Sequence, residues 1–128
     1  MSAGAYPLGE YFAQLAGEGD CLPVKVDAAF WDTGVAALPP GRLVSTFESS
    51  SDWQVWECHP QGEELIILID GEMVLILERD GGEERVPLRA GEFAVVPKGV
   101  WHTADVKVPG RAIYITPGEG TQNRERVA

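Results

Sequence analysis

From Arg42 to Gly118 apolar residues come in short bursts, never longer than a β-strand. RLVSTFES, WQVWECH, ELIILID, EMVLILERD, ERVPLRAG, EFAVVP, WHTADVKV and RAIYITPG follow one another. Each is rich in β-branched and aromatic residues and is closed by glycine, proline or an acidic turn. Their recurrence is near the spacing of about 8–12 residues expected for an all-β sandwich or barrel. IDGE at 69–72 and RDGGEE at 79–84 carry the Asp-Gly signature of hairpin turns. RAGE at 89–92 and VPKGV at 96–100 punctuate the rest. Short strands apolar on both faces predict an all-β, two-sheet jelly-roll barrel. No period of solenoid length recurs.

Upstream the texture differs. In LGEYFAQLA, residues Leu8, Tyr11, Phe12 and Leu15 fall at helical spacing and GEGD follows as a stop, which predicts a short N-terminal helix. LPVKV reads as a strand, DAAFWDTG as a capped helical turn, and LPPG at 38–41 as a break. The expected organisation is an N-terminal segment (1–41) packed on the barrel, the barrel itself (42–118), and a loose polar tail (119–128).

Strand alternation assigns faces. Trp53, Val55, Glu57 and His59 share one face of their run, and Trp56 and Cys58 the other. After the turn PQG, residues Glu64, Ile66 and Leu68 share a face, with Glu63, Leu65, Ile67 and Ile69 opposite. A carboxylate opening this second strand can point back at the Glu57–His59 edge, and Glu63 competes with Glu64 for that place. Cys58 is expected to be a small buried residue rather than a ligand. Trp53, Trp56, Phe93, Trp101 and Tyr114 are expected in core or interface, with Trp53 and Phe93 able to line a pocket mouth.

Composition narrows the function. The chain has 128 residues, one domain's worth, and a formal net charge of −10. That charge argues against nucleic-acid binding and against docking on anionic lipid. Two cysteines make no disulfide framework, no apolar run is long enough to span a membrane, and the N-terminus lacks the pattern of a secretory signal. The expectation is a cytoplasmic protein. Only two histidines are present, His59 and His102.

Both histidines fall in motifs that resemble the cupin superfamily, in particular small single-domain, RmlC-like cupins. The first cupin motif reads G-x5-H-x-H-x(3,4)-E-x6-G. His59 stands at its second histidine, Glu64 follows after four residues, and Gly71 after six more. The second motif reads G-x5-P-x-G-x2-H-x3-N, and Gly91, Pro97, Gly99 and His102 match it. The likeness covers roughly residues 42–116. It departs at Ser51, where the first motif has glycine, at Glu57, where it has its first histidine, and at Val106, where the second has asparagine.

The resemblance implies a double-stranded β-helix with a divalent metal inside the barrel. Carried over position by position, the metal set is Glu57, His59, Glu64 and His102. Carboxylate oxygen and imidazole nitrogen suit iron, manganese, nickel or zinc. Two carboxylates would neutralise a 2+ ion. With Glu57 outside the coordination sphere, two histidines and one carboxylate would remain, a set that favours iron(II) and oxygen chemistry. Glu57 is thus a candidate ligand, general base or orienting partner. Two functions follow: a metal-dependent oxygenase, isomerase or lyase acting on a small molecule, or a non-catalytic small-molecule-binding cupin, with or without metal. The family likeness also implies a homodimer. The outward Leu65, Ile67 and Ile69 fit that, or cover by the N-terminal segment.

Overall fold

Eleven strands form two antiparallel sheets in the structure, a computed structural model in which residues 4–127 are described. The strands are β1 (Tyr11–Ala16), β2 (Cys21–Lys25), β3 (Gly41–Ser49), β4 (Val55–Cys58), β5 (Glu64–Leu68), β6 (Glu72–Arg79), β7 (Gly82–Arg89), β8 (Phe93–Val96), β9 (His102–Val108), β10 (Gly110–Thr116) and β11 (Gln122–Glu125). The first sheet runs β2-β1-β3-β10-β5-β8 and the second β11-β4-β9-β6-β7. This is the expected all-β jelly roll. Residues 1–3 of the expected N-terminal segment and Ala128 of the expected tail lie outside the described residues.

Period-two patterning builds the core. On β5, Glu64, Ile66 and Leu68 turn inward and are buried, while Leu65 and Ile67 face out, half-buried. Ile66 and Leu68 pack with Met73, Leu75, Leu77, Leu88 and Val96 between the sheets. This apolar burial is the main stabilising term of the sandwich. A second cluster of Phe12, Phe30 and Leu43 lies under the N-terminal segment, with Val24, Val26, Val35 and Leu38 against it.

Three expectations are corrected. Residues 11–16 form β1, not a helix: Phe12 and Gln14 alternate inward, and Ala13 pairs with Val44 of β3. Phe12 then packs edge-on against Phe30 at 5.3 Å between ring centroids. Sheet pairing and this aromatic packing override the helical spacing of the apolar residues. The helical element lies further on, at Phe30–Gly34, within the predicted helical turn.

The Asp-Gly turn at 69–72 is not a hairpin, because β5 and β6 belong to different sheets. Asp70 Oδ1 accepts from the Arg111 amide at 2.7 Å. Gly71 takes φ +84°, and a Cβ there would meet the Val108 carbonyl oxygen at 2.5 Å. The glycine allows a sheet-to-sheet corner. The turn at 79–82 does close a hairpin, with Arg79 opposite Gly82.

The polar tail is ordered over Gln122–Glu125 as β11, paired with β4 from Gln122 opposite Cys58 to Glu125 opposite Val55. Among the described residues, no helix is long and apolar enough to cross a membrane.

Candidate metal centre

The turn between β4 and β5 and the start of β9 meet at one end of the sandwich. Glu57 lies directly opposite His102 across the β4–β9 pair, so their side chains share the inner face. His59 follows β4, and its carbonyl accepts from the Gly99 amide at 3.0 Å, which ties the PKG turn to the first histidine. Gly99 takes φ +73°, as a tight turn there requires. Glu64 reaches in from the other sheet. The four residues proposed from the sequence therefore come together, and Glu63 stays exposed outside the group.

One ligand atom from each of Glu57, His59, Glu64 and His102 lies within 4.8 Å of all the others. Glu64 is the inner carboxylate, at 3.1 Å from His102 Nε2 and 3.4 Å from His59 Nε2. Glu57 lies 3.8 Å from each of the same nitrogens. His102 is fully buried, and His59 and Glu64 nearly so. Yet His59 Nε2, His102 Nε2 and Glu64 Oε1 form no hydrogen bond. The nitrogens and the oxygen are in close charge contact without an aligned hydrogen bond, and all lie near one another at the inner end of the group. Buried polar atoms are normally paired, so this donor set fits a cation of the kind imidazole and carboxylate bind.

Each inner residue is held from behind. Thr116 Oγ1 donates to Glu64 Oε2 at 2.6 Å. His59 Nδ1 is bonded to Thr121 Oγ1 at 2.8 Å, and His102 Nδ1 faces the Val100 carbonyl at 3.4 Å. A proton on His102 Nδ1, donated to that carbonyl, leaves Nε2 free as a lone pair. Such backing contacts fix ring orientation and tautomer at metal sites.

The charges are coupled. Burial alone would raise the Glu64 carboxyl, but its contacts with His102 and His59 outweigh this and hold it at about 2. Burial opposes charge on His102, but Glu64 and then Glu57 overcome it and raise its pKa. Glu57 is raised, first by burial and then by the Glu64 charge. Burial and the same charge push the Tyr114 phenol up to about 12.

The group opens into a cleft of about 1120 Å³. Trp53 lines it as expected; Phe93 does not, being 65% exposed on the outer face of the first sheet. Cys58 is buried and free, as expected. Sequence reasoning missed Thr116, Thr121 and Gln14, and missed that residues 31–41 contribute to the cleft wall. The polar tail's threonine and the lone inward glutamine of β1 carry no periodic signal that could have marked them.

A cupin-domain family model matches residues 34–116, well over half of the chain. The chain belongs to the cupin family. No curated protein sequence matches this cupin. Its fold is similar along its whole length to a uridine-bound variant of Streptomyces PAC13, with TM-score 0.65 and 14% identity over 100% of this chain and 95% of that one. It also resembles hydroquinone 1,2-dioxygenase from Sphingomonas sp. TTNP3, bound to 4-hydroxybenzoate, at TM-score 0.51 and 15% identity, over 59% of this chain and 58% of the dioxygenase. Hydroxypropylphosphonic acid epoxidase from S. wedmorenis, in complex with fosfomycin, matches at TM-score 0.51 and 14% identity, over 59% of this chain and 43% of the epoxidase. At such identities these likenesses establish fold; chemistry has to be argued from the site.

Proposed function

We propose that this cupin is a metal-dependent enzyme acting on a small molecule in the cleft, with iron, manganese, nickel or zinc held by Glu57, His59, Glu64 and His102. The observation that carries this reading is the set of three buried, unpaired ligand atoms converging beside the Glu57 carboxylate. None of the three makes an aligned hydrogen bond, and coordination to a cation would give each a directed partner. When bound, the metal supplies Lewis acidity and open coordination positions, as oxygenase, isomerase and lyase chemistry require.

The chain's own residues divide the remaining work. His59, Glu64 and His102 are buried and backed, so they hold position. Glu57 stands on the cleft side, its side chain 32% exposed and the farther carboxylate from both histidines. That position, open to the cleft beside the other ligands, lets Glu57 serve as a ligand that can also accept or return a substrate proton. Trp53 stands between His102 and Tyr114, at 6.1 Å from each, and shields the inner end of the cleft from water. We also place the protein in a reducing cytoplasm, where the exposed Cys21 thiol persists, and as a homodimer through the outer face of the first sheet.

Elemental analysis of protein purified without an affinity tag tests the metal. Stoichiometric transition metal is expected, lost in His59→Ala and in His102→Ala. Protein that stays metal-free after reconstitution with all four ions overturns the reading. Glu57→Gln is then expected to keep metal but to lose at least about 100-fold in turnover, the usual scale of proton-transfer catalysis.

A further inference from the structure

Apart from the metal-cluster residues, Gln14 is the one residue in the cleft wall with a buried side-chain polar atom that has no partner, among the described residues. It is 5% exposed. Its Nε2 donates to the Pro39 carbonyl at 2.7 Å, while Oε1 has no partner. A carbonyl only accepts, so this bond fixes which way the amide points and leaves its oxygen as the free group. Gln14 lies opposite Leu43 of β3, and Leu43 opposite Thr116 of β10, whose hydroxyl bonds Glu64. The acceptor therefore ends a cross-strand row that begins at the metal cluster. Three strand spacings put their backbones about 14 Å apart.

An aromatic wall of the same cleft flanks this row, with Phe47 four residues along β3 from Leu43 and opposite Ala112. Trp31 and Phe47 stand 5.9 Å apart, their planes inclined by 33°. Phe47 and Tyr114 are also 5.9 Å apart, and the contacts continue through Trp53 to His102. Charge adds a filter. Among the described residues lining the cleft, none is lysine or arginine, whereas Glu48, Asp52 and Glu119 join Glu57 and Glu64. Arg111 pairs with Glu48 at 3.6 Å, and the other four carboxylates still exceed the charge of one divalent ion, so an entering anion meets net repulsion.

We propose that the cleft selects a flat, uncharged or cationic small molecule that lies along the Trp31–Phe47 wall and presents an N–H or O–H donor to Gln14 Oε1, and that it rejects carboxylates and phosphates. This specificity rests on the metal-enzyme reading for the inner end of the ligand.

Naphthamidine, naphthamide and naphthoate share one flat skeleton and differ in charge and donor, which makes them suitable probes. Protein-observed NMR titrations of the metal-loaded and metal-free protein are expected to give binding of the amidine and amide at least about tenfold tighter than of naphthoate. Gln14→Met removes the acceptor at nearly constant volume. It is expected to weaken the amidine and amide about fivefold to tenfold, while naphthoate binding and metal content stay unchanged. Trp31→Ala, at an exposed position, is expected to weaken the amidine and the amide together. Naphthoate binding as tightly as the amide overturns the proposal, as does failure of all three to bind at millimolar concentration or an unchanged amide affinity in Gln14→Met. If the protein never takes up metal but keeps the order amidine, amide, naphthoate, the metal reading fails and this specificity stands. If metal binds and the order is reversed, the specificity fails alone.

Discussion

Glu64 sits where two opposing tendencies are resolved. Burial disfavours its charge, yet His102 and His59 keep it ionised, with a pKa of about 2 against an ordinary 4.5. A depressed carboxyl stabilises the fold above pH 4.5 and loses that contribution as pH falls toward 2. The difference is worth about 3 kcal/mol, shared with the histidines that supply it. His102 works in the opposite sense. Its pKa is raised, so its contribution is complete below 6.5 and fades as pH climbs through the folded value. Metal-free protein is therefore expected to melt highest between about pH 4.5 and 6.5 and to lose Tm on both sides. Metal coordination needs neutral imidazoles, so protons compete with the ion. The Tm gain on adding zinc or manganese should grow as pH rises from 6 to 8. Calorimetry with and without metal checks this; a gain that shrinks with pH contradicts it. Within the cluster, the residue that departs from the family motif, Glu57, is the one on the open side, where a carboxylate in place of an imidazole alters charge without disturbing the three buried side chains.

β11 shows how an element can be held without an apolar face. All four of its residues are exposed, so hydrophobic patterning carries no trace of it. Two arginines do the fastening. Arg124 stacks on Trp56 and Trp101, at 5.1 and 4.7 Å from the ring centroids, and pairs with Glu78. Arg126 donates to the carbonyls of Trp53 and Ala104 and to Asp105 Oδ1 at 2.6 Å. Arg126→Ala is expected to cost about 1–3 kcal/mol, because these are charge-assisted bonds in a half-buried setting. Hydrogen exchange should then report loss of protection in β11, and protection equal to wild type would refute the fastening. Thr121 lies just before this strand and bonds His59, so the variant should also weaken metal binding. The same contrast explains which elements were legible. β5 declared itself because its inward and outward residues alternate, and the two histidine motifs marked three of the four cluster residues directly. β1 did not, since Leu8, Phe12 and Leu15 also satisfy a helical period. The corner at Gly71 was mistaken for a hairpin because Asp-Gly favours any tight turn with positive φ, and local sequence does not record whether the flanking strands pair. Thr116, Thr121 and Gln14 act through contacts formed by strands distant in sequence.

At the scale of the whole molecule, the first sheet has an apolar outer face. Leu65 lies opposite Val95 and Ile67 opposite Phe93, while Ile113 and Ile115 of β10 continue the rows on the other side of β5. Phe93, Ile69 and Val95 are 65%, 48% and 46% exposed. The N-terminal strands do not cover this patch, because β2 and β8 are the opposite edges of the sheet. An apolar patch of this kind suits an association surface, and under the proposed homodimer a second copy of the chain would cover it. Each subunit carries a formal net charge of −10, so two copies repel at long range while their apolar faces attract at contact. Salt screens the first term within a Debye length of about 8 Å near physiological ionic strength and leaves the second. Sedimentation equilibrium is therefore expected to show a dimer whose dissociation constant falls as salt is raised. The double variant Phe93→Glu and Val95→Glu should be monomeric, and it should retain its metal because neither side chain lines the cleft. A monomeric wild type at micromolar concentration, or a dimer that persists in the double variant, would rule out this face. A dimer weakened by salt would point instead to association through charged groups.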